Sequence, residues 1–228
     1  MKLTTIAACS AASLLWLTAC SNENTPDPVE TAATEAPPAD PQEKAYGTVT
    51  DDDILNAAAT PQDWLTYNGT YDEQRHSSLS QISADNVSDL GVAWTYDLAT
   101  GRGVESTPIV VDGVMYVTSA WSIVYALDPV TGEELWVYDP EVDRSVGVDA
   151  CCDVVNRGVA VYDGKVYVGV IDGRLEAIDA GTGEVVWSEQ TVDRSKPYTV
   201  TGPAHRQRQS PDRQWRRRAW RPWLPISL

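Results

Sequence analysis

Basic residues are scarce in this chain. Its 228 residues include 17 Lys+Arg against 33 Asp+Glu, for a formal net charge of −16 at pH 7. Such a surface cannot neutralise a run of phosphates, which excludes sequence-independent binding to nucleic acid. The shortage is uneven. Residues 1–202 hold 10 Lys+Arg and 32 Asp+Glu, net −22, whereas residues 203–228 hold seven Arg and one Asp, net +6. Long apolar runs are also in short supply. The uncharged stretch from Leu3 to Ala19 falls short of the about 20 apolar residues that a spanning helix needs. Cysteine is limited to four residues and histidine to two; His76 is assigned no role. What is present, 43% hydrophobic and 22% charged residues, is enough for a packed core and excludes global disorder.

The ends of the chain read differently from its body. Lys2, the apolar run and the closing Leu17-Thr18-Ala19-Cys20 form an export signal over residues 1–20. Leu-Thr-Ala-Cys resembles the bacterial lipobox, which implies lipidation at Cys20. The alternatives are an ordinary cleaved signal or a short anchor. Residues 21–44 are rich in Pro, Ala, Thr, Glu and Asp without apolar periodicity, the composition of an extended tether. The expected location is the periplasm, with a lipid as the membrane anchor. Cys9 leaves with the signal and Cys20 is lipidated, so the adjacent Cys151 and Cys152 remain, in a compartment that permits disulfides.

The body repeats. Val111-Asp112-Gly113-Val114-Met115-Tyr116-Val117 lies 51 residues before Tyr162-Asp163-Gly164-Lys165-Val166-Tyr167-Val168, and Ala126 to Trp136 lies 51 residues before Ala177 to Trp187. Asp112-Gly113 and Asp163-Gly164 are hairpin dipeptides of the type I′ kind. Asp128–Gly132 and Asp179–Gly183 mark a second turn. About four strands per repeat at this period predict an all-β fold of four-stranded antiparallel propeller blades, two to three of them here. Trp94, Trp136 and Trp187 are expected to end equivalent strands and pack between blades. Residues 51–59 are expected to form a short helix capped by Asp, and residues 86–90 a helical turn.

Three stretches carry a resemblance. They are Trp64-Leu65-Thr66-Tyr67-Asn68-Gly69 through Arg75-His76-Ser77, Gly103-Val104-Glu105-Ser106-Thr107-Pro108 through Tyr116, and Cys151-Cys152-Asp153-Val154-Val155-Asn156-Arg157-Gly158. Together they resemble the N-terminal part of the quinoprotein alcohol dehydrogenases. The resemblance implies an eight-bladed propeller with pyrroloquinoline quinone (PQQ) on its axis beside calcium or a lanthanide. It also implies oxidation of a small primary alcohol and electron transfer to a periplasmic cytochrome c. By the same resemblance Glu105, Arg157 and Thr201 bind the quinone. Cys151 and Cys152 form a disulfide packed on one of its faces, a strained ring because consecutive Cα atoms stand about 3.8 Å apart. A non-catalytic propeller lipoprotein acting as an envelope scaffold is the rival reading; the cysteine pair, Arg157 and Glu105 favour the enzyme.

The chain departs from the family after Gly202. The metal ligands, the catalytic Asp and the Trp that stacks on the second cofactor face have no match here. A one-base shift in a permitted back-translation of Ala204–Ser227 continues the repeat and restores a Gly-Ala-Glu segment. The expectation is therefore an out-of-frame tail over 203–228, a quinoprotein propeller portion over 45–202, and no turnover by the chain as written.

Overall fold

The computed structural model describes residues 44–205 and 226–227. The signal, the lipidation site at Cys20, nearly all of the tether and most of the basic tail lie outside the described residues. Two antiparallel four-stranded sheets make up the body. The first has the order β1 (Ile109–Val111), β2 (Val114–Thr118), β3 (Val124–Leu127) and β4 (Glu134–Tyr138). The second repeats it with β5 (Ala160–Tyr162), β6 (Lys165–Gly169), β7 (Arg174–Asp179) and β8 (Val185–Gln190). Two-residue strands β9 (Ala204–His205) and β10 (Ile226–Ser227) pair in parallel. Among the described residues no helix is long and apolar enough to cross a membrane.

The hairpin dipeptides do what their chemistry requires. Asp112 and Gly113 have φ of 53° and 71°, and Asp163 and Gly164 have 49° and 72°, the two positive values of a type I′ turn. In the second turn the Asp128 carboxylate accepts the N–H groups of Val130 and Thr131 at 2.7 and 2.9 Å. Asp179 does the same for Gly181 and Thr182 at 3.0 and 2.9 Å. These local bonds recur at equivalent positions in the two blades.

The blades meet through one apolar cluster. Ile109, Tyr116, Val124 and Trp136 of the first pack with Val161, Val166, Val168 and Ile178 of the second. Trp136 donates through Nε1 to the Ala180 carbonyl at 3.1 Å, and the Tyr116 hydroxyl donates to the same oxygen at 3.0 Å. A Cβ at Gly183 would stand 2.8 Å from the Trp136 ring, so the turn needs glycine for this close approach.

A polar network crosses the same boundary. Arg174 Nη1 lies 2.6 Å from Glu176, and its Nε lies 3.0 Å from Asp172. The Tyr138 hydroxyl, from the first blade, donates to Glu176 at 2.6 Å. Burial comes first, and then the hydrogen bond and charge of Glu176, in pushing the Tyr138 hydroxyl above its ordinary pKa.

Four expectations need correction. Residues 92–97 carry no strand, although the Trp94 indole donates to the Pro129 carbonyl at 3.2 Å and its ring stands 2.6 Å from where a Cβ at Gly132 would be. Trp94 thus takes the position that Trp136 takes one repeat later, but no described segment offers its backbone a ladder. Trp136 and Trp187 lie inside β4 and β8 rather than at their ends. Trp187 is 38% exposed, against 9% for Trp136, because no described residue covers that side of β8. The helix is α1 (Asp51–Leu55), followed by a 3-10 turn at Ala57–Ala59. Aspartates fill its first turn as expected, and Asp53 completes a reciprocal capping box with the N-cap residue Thr50.

An N-terminal strap spans both blades. Gly164 N–H donates to Gly47 at 2.8 Å and Asp163 N–H to Val49 at 3.0 Å. The Thr48 amide and hydroxyl donate to Asp112 at 3.0 and 3.1 Å. Gly47, at φ 63°, lies where a Cβ would stand 2.7 Å from Ala180 Cβ.

Candidate functional site

Three loops converge at the end of the blades opposite the hairpin tips: residues 102–107 before β1, 150–158 before β5, and 198–202 after β8. Arg157 joins them. Its Nη2 lies 2.7 Å from Glu105 Oε2. Its Nη1 donates to the Thr201 hydroxyl at 3.0 Å and the Thr201 carbonyl at 3.2 Å. The backbone reinforces the junction, since Thr107 N–H donates to the Arg157 carbonyl at 3.1 Å. The Arg157 and Glu105 side chains are 32% and 46% exposed, so their ion pair can still be reached from outside. All five residues singled out from the sequence lie on these loops.

Cys151 and Cys152 are both exposed and unbridged, with their sulfurs 2.6 Å apart. The Cys151 thiol is pushed up by its contact with Cys152, then by desolvation and the neighbouring sulfur's charge, while the Arg157 guanidinium pulls it down.

The loop holding the cysteines is fastened on both sides. Before them, the Trp121 ring lies 4.4 Å from the Arg144 guanidinium, and a Cβ at Gly147 would stand 2.9 Å from that ring. Trp121, at φ 65°, donates its backbone N–H to Val154 at 2.8 Å. After them, Asp153 at φ 71° accepts from Arg102 Nη1 at 2.9 Å and from Gly103 N–H at 3.4 Å. The Val154 N–H, followed by Gly103 and Arg102, holds the Asp153 carboxyl below its ordinary pKa.

Sequence reasoning missed Arg102, Trp121, Asp153 and Asn156. Two left a trace: Asp153 directly follows the cysteine pair, and Asn156 directly precedes Arg157. Arg102 and Trp121 are distant in sequence and left none. Among the described residues, no group of three or more His, Cys, Asp and Glu side chains could hold a metal ion. A separate cavity, bordered by Asp63, Trp64, Asp72 and His76, shares no residue with the cluster.

Comparison with known proteins gives a consistent result. The family model described as "PQQ: Glucose/ethanol/alcohol dehydrogenase, beta-propeller domain" matches residues 64–194. The chain is 60% identical over 143 residues to 1-butanol dehydrogenase (cytochrome c) of Thauera butanivorans, covering 61% of this chain and 20% of that protein. The solved quinohemoprotein alcohol dehydrogenase ADHIIG of Pseudomonas putida HK5 superposes with a TM-score of 0.69 at 55% identity, covering 71% of this chain and 24% of that one. A europium-containing methanol dehydrogenase superposes with a TM-score of 0.64 at 38% identity, covering 67% and 27%. The chain spans about a fifth of the length of the curated relatives it matches.

Proposed function

The chain belongs to the PQQ-dependent glucose/ethanol/alcohol dehydrogenase family, and from that premise we propose that it builds one wall of a quinone site in an alcohol-oxidising enzyme. The observation that carries this reading is Arg157, held between Glu105 and Thr201 beside two exposed sulfurs. The donor set fits the cofactor. PQQ is a flat tricarboxylate, and a guanidinium offers its carboxylates or quinone oxygens a rigid fork of N–H donors. Thr201 adds a hydroxyl, and Glu105 adds an oxygen already fixed on Arg157. The adjacent sulfurs of Cys151 and Cys152, joined as a disulfide after export, form an apolar platform for one face of the ring. When bound, the quinone supplies a two-electron acceptor for hydride, its carbonyl polarised by calcium or a lanthanide acting as a Lewis acid. The chain's own residues bind and orient it.

The reading extends to partners and place. The name of the Thauera relative supports a small primary alcohol as substrate and a cytochrome c as acceptor. The likeness to a europium-containing methanol dehydrogenase keeps a lanthanide beside calcium as the metal. Residues 1–20 direct export to the periplasm, lipid at Cys20 holds the protein on a membrane, residues 21–44 are the tether, and residues 45–202 supply the N-terminal part of the propeller. Residues 203–228 are a tail of out-of-frame origin. A non-catalytic scaffold would have no use for an accessible arginine–glutamate pair beside two sulfurs, and that reading is not favoured.

The test is PQQ binding, followed by absorbance and tryptophan quenching in the full-length protein carrying this sequence, with calcium present. Arg157→Ala should weaken binding about 10- to 100-fold, the effect of losing hydrogen bonds to a charged group. Binding unchanged by that substitution would overturn the assignment. On the exported protein, neither cysteine should react with a thiol reagent until reductant is added; labelling of both beforehand would remove the disulfide from the proposal.

A further inference from the structure

Arg157 reaches Glu105 and Thr201 only if the backbone on which it stands is held in one orientation. The residue before it does this. Asn156 is 1% exposed, and its side-chain amide is fully engaged. Its Oδ1 accepts the Gly158 N–H at 2.9 Å. This bond runs from residue i to residue i+2 and closes a small ring around Arg157, as an Asx turn does. Its two Nδ2 protons go to different blades. One is donated to the Ser122 hydroxyl of the first blade at 3.2 Å, the other to the Gly169 carbonyl of the second at 2.8 Å. The Asn156 carbonyl also accepts the Thr118 hydroxyl at 3.3 Å.

The surrounding geometry leaves the turn little freedom. Gly158 sits at φ 131°, where a Cβ would stand 3.0 Å from the Thr107 carbonyl. Ser122, at φ 63°, has its hydroxyl engaged from a second side by the Ile171 N–H at 3.0 Å. A buried amide with every bond made has one low-energy orientation, because any rotation strands a donor or acceptor away from water. The direction of Arg157 is thereby referenced to both blades at once.

We infer that Asn156 is a positioning residue: it fixes the Arg157 turn against both blades so that the guanidinium is presented to an anionic ligand in one orientation. This rests on the quinone reading of the site, and the test separates the two. Asn156→Ser and Ser122→Ala would be made in the full-length protein, each alone and combined with Arg157→Ala, with folding checked by circular dichroism. The readout is the PQQ dissociation constant from tryptophan quenching. Asn156→Ser should weaken binding on the order of tenfold, the equivalent of one hydrogen bond's loss of orientation. Ser122→Ala, which leaves the Asn156–Gly158 bond intact, should weaken it about two- to threefold by the same reasoning.

Both effects should vanish in the Arg157→Ala background, because a positioning residue acts through the group it positions. Equal weakening with and without Arg157 would assign Asn156 a general structural role and overturn the inference. So would an unchanged dissociation constant in the two single variants. If Asn156→Ser does not fold, Ser122→Ala decides by the same criterion. Should Arg157→Ala itself leave binding unchanged, the quinone reading fails rather than the positioning argument alone.

Discussion

The two blades share their turns and strand spacing and differ in what lies against them. In the first, Trp136 rests on Gly183 of the next repeat and is 9% exposed. In the second, the equivalent Trp187 is 38% exposed, together with Val185 at 44% and Val186 at 51%. The 51-residue repeat therefore specifies the strands and turns of each blade locally, while burial of the outer strand is supplied by the neighbour. This is the behaviour of repeat architectures, in which nearest-neighbour interfaces carry much of the stability.

Substitutions can break that comparison. Trp136→Ala empties a filled position between the blades and should cost about 3–5 kcal/mol in denaturant unfolding. Trp187→Ala should cost on the order of 1 kcal/mol or less. Equal losses would mean that the blades are not distinguished by their neighbours.

Tyr138→Phe sharpens the same boundary. It removes the first blade's donor to the buried Glu176 and should cost about 1.5–3 kcal/mol. The Tyr138 pKa is raised in the folded protein, so its contribution is complete below the unfolded value of about 10. It is lost as pH rises through the folded value, because the unfolded chain then releases the proton more readily. Thermal melts of the parent protein should decline above that pH, and the Tyr138→Phe variant should show a smaller decline.

The smallest effect belongs to the site. The Asp153 carboxyl is held below its ordinary value, so its stabilising effect is present above about pH 4. It is lost as pH falls through the lower folded value. Asp153→Asn should flatten the acid side of the melting profile without altering its alkaline side. An unchanged acid slope would show that the Asp153 carboxylate, with its bonds from Val154, Gly103 and Arg102, does not stabilise the cysteine loop.

Much of this was legible in the sequence, for a physical reason. Asp112-Gly113 and Asp163-Gly164 encode their turns within two residues, and Asp128 and Asp179 encode theirs within five. The alternating Val and Tyr between them encode the strands. What escaped depends on chain that is remote in sequence. The missing strand at residues 92–97 and the exposure of Trp187 are decided by what lies alongside them, which a local pattern cannot report. The positions of Glu105, Arg157 and Thr201 followed from matched motifs, but their mutual contact is made by three separate loops. Arg102 and Trp121 fasten the cysteine loop from about 50 and 30 residues away, with no motif to announce them. Asn156 stood inside a matched motif; its value lies in bonds to two blades that only folding creates.

The strap at Gly47–Val49 has a mechanical meaning. Its bonds to Asp163, Gly164 and Asp112 tie the hairpin tips of both blades to one short length of backbone. Tension entering the chain at residue 44 is shared between the two sheets and runs across their hydrogen bonds at the tips. Detaching the strap means breaking its bonds to Asp163, Gly164 and Asp112, which belong to both sheets. The strap holds the end of the blades remote from Arg157, and the same amino-terminal segment then continues to the other end, where Arg75 donates to the Thr107 hydroxyl at 3.1 Å and Thr107 N–H donates to the Arg157 carbonyl.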